Sequence, residues 1–208
     1  MPSKREIRRQ QLIELGVKLF AERAYDEVAI DDLAREAGIS KGLMYHYFGS
    51  KKALYLACVE HVAGELVTEL QAMEYTDPGQ GIRLGLDTFL SFISQHGQSY
   101  RSLMTGASGG DIGVHGFFDR TRQAIAGLIL MGLGVSPDHP QYRNTVRAWV
   151  GAVEASALDW LANEGPDQAE LVDMHTTALA DRLYYVHQRY PDAASADAMQ
   201  PVLDARGS

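Results

Sequence analysis

Residues 31–48, DDLAREAGISKGLMYHYF, limit what this chain can build more than any other stretch. Two short segments with helical spacing, 31–37 and 41–47, are separated only by Gly38, Ile39 and Ser40. Helices this short do not hold alone in water, because nucleation is costly and few bonds follow it. They must be pinned in a tertiary corner. Gly38 suits the left-handed residue that ends a helix, and Ser40 suits the N-cap of the next. Leu33, Ala34 and Ala37 give the first segment an apolar inner face, with small residues for close crossing. Ile39 plugs the interior, and Met44 and Phe48 aim the second segment inward. Lys41, Gly42, Leu43, Tyr45 and Tyr47 are left for the outside. Such a pair is the helix-turn-helix pattern, in which the second helix can enter the major groove of DNA.

The rest of the chain also reads with helical period, and no strand–helix alternation interrupts it. In the first long segment Leu12, Leu15, Gly16, Leu19 and Phe20 recur at three-to-four spacing. Gly49-Ser50 stops the second short helix and caps a long one over 51–73. Further helices are expected over 82–96, 98–105, 112–133, 141–163 and 166–190, with Pro166 in a first turn. Residues 75–81 and 134–140 are Pro/Gly joints, and GASGG at 106–110 is a loop. The expectation is an all-α protein of about nine helices. A three-helix head over 5–64 leads into a helical domain over 65–190, and 191–208 is expected as a flexible tail.

Charge divides the chain the same way. The 19 Lys+Arg and 27 Asp+Glu leave a net −8, which argues against a nucleic-acid partner if taken as an average. Residues 1–55 are net +2, however, and 56–208 are net −10. All five lysines, Lys4, Lys18, Lys41, Lys51 and Lys52, lie in the first quarter. The single cysteine, Cys58, excludes an internal disulfide and fits a reducing, cytoplasmic setting. Met1–Gln11 is polar and basic, unlike a signal peptide. The longest apolar run, 124–135, is too short to span a bilayer, so no membrane partner is expected.

The stretch AGISKGLMYHYFGSKKAL, with KLFAERAYDEVAIDDLA before it, resembles the TetR-type bacterial transcriptional regulators. The likeness is detailed over about residues 7–60 and architectural beyond. It implies a DNA-reading helix over 41–47, where Lys41 reaches a base edge or phosphate and Gly42 permits close backbone approach. Tyr45 and Tyr47 would hold phosphates, and Lys51 would clamp one at a helix N-terminus, a ready anion seat. A basic arm with Lys4, Arg5, Arg8 and Arg9 would track the backbone or enter the minor groove. Four positions depart from the family pattern. Ala24 replaces a Gly, Ala29 a capping Thr, and Leu43 a Thr or Ser that bonds a base. Gly16 replaces an Ala, at about 0.5–1 kcal/mol.

The family also implies an apolar small-molecule effector, a homodimer, repression as the usual outcome and no cofactor. Phe89, Phe92, Tyr100, Met104, Phe117, Arg120 and Trp149 are the expected ligand lining, with Arg101 and Arg122 as further polar anchors. Read from the residues alone, the aromatics serve equally as core. The last two long helices combine Gly151, Ala152, Ala155, Ala157 and Ala178 with Val153, Leu158, Leu179 and Leu183. That pattern suits a symmetric four-helix interface or packing within one subunit. GASGGD lacks the Lys-Ser/Thr of a phosphate loop, and Asp111 with His115 lacks a third metal ligand. Two other readings stay open: an enzyme acting on an apolar small molecule, for which no catalytic pairing stands out, and an interaction adaptor that has lost DNA binding.

Overall fold

The computed structural model describes residues 2–106, 112–163 and 165–207, with side chains over 2–95, 116–163 and 165–206. Among these residues all regular structure is helical. The α-helices are α1 (Lys4–Glu22), α2 (Ile30–Glu36), α3 (Lys41–Phe48), α4 (Lys51–Ala72), α5 (Pro78–Gly106), α6 (Ile112–Gly132), α7 (Pro140–Trp160), α8 (Gln168–His187) and α9 (Ala196–Leu203). Nine helices were expected, yet two of the nine arise differently. The segments 82–96 and 98–105 are one helix, α5. A glycine inside a helix costs only about 1 kcal/mol, too little at Gly97 to end a long one. The ninth helix comes from the segment expected as a flexible tail. Pro166 also precedes α8 rather than starting it, and Asp167 is the cap, accepting from the Glu170 amide at 2.9 Å.

The described residues fall into two compact units, Met1–Glu65 with His96–Phe117, and Leu66–Gln95 with Phe118–Ser208. In the first, α1 opens with a capping box. The Glu6 amide donates to Ser3 Oγ at 3.2 Å, and the Ser3 amide donates to Glu6 Oε2 at 2.6 Å. Those bonds hold the Glu6 carboxyl below its ordinary range. Leu12, Ile13, Gly16, Leu19 and Phe20 form the buried face of α1. Against it α4 sets Leu54, Tyr55 and Cys58, all buried. The approach is close: a Cβ on Gly16 would lie 2.6 Å from Cys58 Sγ. Burial pushes the Cys58 thiol up to about 12, so it keeps its proton and donates to the Ile13 carbonyl at 3.4 Å.

In the second unit α7 and α8 pack together. The Trp149 indole donates to the His175 carbonyl at 2.9 Å, and the Tyr142 hydroxyl lies 3.1 Å from His187 Nδ1. Rising numbers on α7 meet falling numbers on α8, so the two run antiparallel. Residues 191–207 then fold back onto α8. Met199 and Val202 are each 1% exposed, Arg206 pairs with Asp181 at 2.8 Å, and its guanidinium stacks on Tyr184 at 3.7 Å. A segment with two core side chains three apart is too brief to register as a period, which is why it read as tail. Among the described residues no helix is long and apolar enough to cross a membrane.

Candidate nucleic-acid interface

The corner between α2 and α3 is set by backbone chemistry. At the end of α2 the Ile39 amide donates to the Ala34 carbonyl at 2.9 Å and the Gly38 amide to the Arg35 carbonyl at 3.1 Å. This double bond pattern needs a left-handed residue, and Gly38 has φ +65°. Ser40 Oγ then accepts from the Leu43 amide at 3.2 Å to start α3. From α1, Arg8 donates to the Ala37 carbonyl at 2.8 Å, holding a third helix to the same corner. Leu33 and Met44 are fully buried, Ala34 and Phe48 nearly so, and Ile39 half-buried.

With Met44 and Phe48 inside, α3 leaves Lys41, Gly42, Leu43 and Tyr45 exposed. Leu43 is 39% and Tyr45 41% exposed. A Cβ on Gly42 would meet nothing within 4 Å, so no contact within the unit requires glycine there. Tyr47 departs from the expectation and is half-buried. It lies three residues after Met44 and one before Phe48, so its ring flanks the inner face.

Lys41, Lys51, Arg8 and Arg9 each have a partner within the protein. Lys41 Nζ donates to Asp31 Oδ2 at 3.0 Å, which raises the ammonium above its ordinary value. Lys51 opens α4, where Ser50 Oγ accepts from the Ala53 amide at 3.0 Å, and its ammonium sits 4.2 Å over the Tyr25 ring. Tyr25 in turn packs on Tyr55 at 4.6 Å, and Tyr55 on Phe20 at 4.8 Å. Arg9 is exposed, with its guanidinium 5.1 Å from the Phe48 ring. Arg5 is exposed in the first turn of α1. Lys4, Arg5, Arg8 and Arg9 all lie in α1, because the capping box starts the helix at Lys4, and Arg8 also donates to the corner.

At the start of α2, Ala29 supplies no side-chain cap. Asp32 bonds Arg35, which holds its carboxyl below the ordinary range, and Asp31 bonds Lys41. Asp31 and Asp32, both in the first turn of α2, are thus each bonded to a cation.

The residues expected to line a ligand site differ in burial. Phe89 and Phe92 on α5 and Phe117 on α6 are half-buried, Arg120 is exposed, and Trp149 is core, bonded to α8. The side chains of Tyr100, Arg101, Met104 and His115, and residues 107–111 entirely, lie outside the described residues. Two polar features of the interior escaped the sequence. Arg122 on α6 pairs with Glu154 on α7 at 2.5 Å, and Glu154 is 8% exposed. His175 is also buried, its Nε2 has no partner among the described residues, and burial pushes its imidazole below the ordinary value. A signal existed for Glu154, an acid set among Val150, Val153 and Ala157 on one apolar face. The small residues of α7 separate cleanly. Val153 and Ala157 are buried, whereas Ala152 and Ala155 are exposed and a Cβ on Gly151 would meet nothing within 4 Å. On α8 Leu179 and Leu183 are buried, and Met174 and Tyr185 are 51% and 60% exposed.

Residues 12–58 match the family of bacterial regulatory proteins, tetR family, and residues 78–180 match the tetracyclin repressor-like C-terminal domain. A 99-residue segment is 36% identical to the HTH-type transcriptional activator FasR of Mycolicibacterium smegmatis, covering 47% of this chain and 45% of that protein. A 66-residue segment is 38% identical to the HTH-type transcriptional regulator BetI of Brucella anthropi, covering 32% and 34%. The chain thus spans less than half the length of either relative. The crystal structure of a tetR-family transcriptional regulator from Streptomyces coelicolor superposes with a TM-score of 0.80 at 29% identity, over 99% of this chain and 90% of that one.

Proposed function

Because this chain belongs to the TetR family of bacterial transcriptional regulators, we propose that it binds double-stranded operator DNA as a homodimer and leaves it when a small apolar effector is bound. The observation that carries this reading is the outward row Lys41, Gly42, Leu43 and Tyr45 on a helix anchored by Met44 and Phe48. In the major groove Lys41 reaches a base edge or phosphate, Leu43 makes apolar contact, and Gly42 lets the backbone come close. Tyr45 and Tyr47 hydroxyls and Lys51 at the start of α4 take phosphates, which set register without reading sequence. With only +2 net charge over residues 1–55, placed groups and a second copy must supply the affinity.

The homodimer reading is supported by the open stripe of Gly151, Ala152 and Ala155 on α7, where another helix can approach closely. Two heads then address half-sites about 34–36 Å apart. For the effector, the half-buried Phe89 and Phe92 are our candidates for apolar lining, and the part-buried Arg122–Glu154 pair is our candidate for a polar anchor. The effector works by population shift, binding the released dimer more tightly than the DNA-bound one. Repression relieved by the effector is our reading of sign. The rival sign is activation, favoured by the name of the Mycolicibacterium smegmatis relative. A mobility shift with the duplex upstream of the protein's own gene tests DNA binding: a specific complex that weakens steeply with salt is expected. Absence of any specific complex would refute it, and a promoter-reporter fusion decides the sign.

A further inference from the structure

Lys41 is the first residue of α3, and its ammonium has an acceptor within the protein. It donates to Asp31 Oδ2 at 3.0 Å, with the two side chains 54% and 60% exposed. Asp31 belongs to the first turn of α2, and among the described residues Lys41 is its one hydrogen-bond partner. Its neighbour Asp32 is satisfied separately by Arg35. The Lys41–Asp31 pair therefore joins the starts of the two helices of the corner on the solvent side. A carboxylate oxygen at this distance is the same kind of acceptor as a phosphate oxygen.

We propose that Asp31 is an internal competitor for Lys41, a built-in acceptor with which DNA must share the ammonium and that caps the affinity of the head for any duplex. The proposal rests on the reading of α3 as the DNA-facing helix. In free protein Lys41 is neutralised by Asp31. On DNA the ammonium is shared between that carboxylate and a phosphate or base acceptor, and the carboxylate repels the phosphate it competes with. Exposed ion pairs of this kind are weak and screened by salt, so the competition is close to balanced and the duplex can win it. A ceiling on affinity suits a regulator that a ligand must remove, because a ligand shifts the equilibrium only by its differential affinity for the two states.

The test is binding of a 30-base-pair mixed-sequence duplex, titrated between about 50 and 200 mM salt, where phosphate contacts dominate. Five proteins are compared: wild type, Asp31→Asn, Asp32→Asn, Lys41→Ala, and Asp31→Asn in a Lys41→Ala background. Asp31→Asn is expected to tighten binding by about threefold to tenfold per dimer at the low-salt end. Its salt slope should steepen by about one per head as Lys41 gains a phosphate. The gain should shrink to the level of Asp32→Asn when Lys41 is absent, since only generic charge is then removed. Equal gains from Asp31→Asn and Asp32→Asn, or the same gain without Lys41, would overturn the competition and leave DNA binding intact. Weaker binding by Asp31→Asn would overturn it in the opposite sense, making Asp31 a guide for Lys41. Wild type that binds no duplex at any salt would remove the proposed function itself.

Discussion

Replacing Gly16 by Ala should have opposite effects depending on what stands at position 58. Within a helix, Ala is favoured over Gly by about 1 kcal/mol, so α1 taken alone would be stabilised. The added Cβ would lie 2.6 Å from Cys58 Sγ, well inside contact distance, whereas the next atom, Leu54 Cδ1, is at an ordinary 3.5 Å. Rotating the thiol away gives up its bond to the Ile13 carbonyl and pushes sulfur into a packed core. Overpacking of this order costs about 1–3 kcal/mol. Gly16→Ala in the natural background should therefore be neutral to destabilising by about 2 kcal/mol, the propensity gain being offset. In a Cys58→Ala background the obstacle is gone, and the same change should stabilise by about 1 kcal/mol. The coupling energy between the two positions is then about 1–3 kcal/mol. Urea unfolding of the four proteins, followed by far-ultraviolet circular dichroism at one fixed protein concentration, measures it directly. If Gly16→Ala stabilises equally in both backgrounds, α1 and α4 are not in the close contact described.

Three further outcomes follow from the same structure. Tyr55→Phe should stabilise the protein by about 1 kcal/mol in the same unfolding assay, because the buried Tyr55 hydroxyl has no partner among the described residues and only a desolvated polar group is lost. Burial lowers the imidazole of His175 from its ordinary 6.5, so the unfolded chain takes up the proton first. Stability should then be steady above pH 6.5 and decline as pH falls through the lowered value. Thermal midpoints between pH 8 and 5 should show a smaller acid decline in His175→Gln. Lys51→Ala should weaken binding to every duplex and reduce the salt slope by about one per head; undiminished binding would deny Lys51 a phosphate.

The head was largely legible because its logic is local. Gly38, Ser40 and Gly49-Ser50 each act through bonds to residues within five positions, so chain order displays them. Met44 and Phe48 are four apart and face the same way whatever surrounds them. Even the Ser3/Glu6 capping box is written in four residues, and it shows why the basic segment is helix. The partners of the charges were not legible. Asp31 and Lys41 are ten positions apart across a turn, and Arg8 and Ala37 twenty-nine. Charged side chains choose among acceptors by proximity in space, and spacing along the chain does not rank them.

By itself the order of residues determined α1 to α4, the corner between α2 and α3, and the exposure of Lys41, Gly42, Leu43 and Tyr45, because helical period and turn chemistry are short-range. Tertiary structure alone decided what each exposed cation holds in the free protein, that Gly16 answers Cys58, and that Glu154 and Arg122 share the interior of the second unit. It also turned a segment expected as tail into α9, since two apolar side chains have helical meaning only when α8 is there to bury them. Burial and pairing depend on what arrives from elsewhere in the chain, and that information is nowhere local.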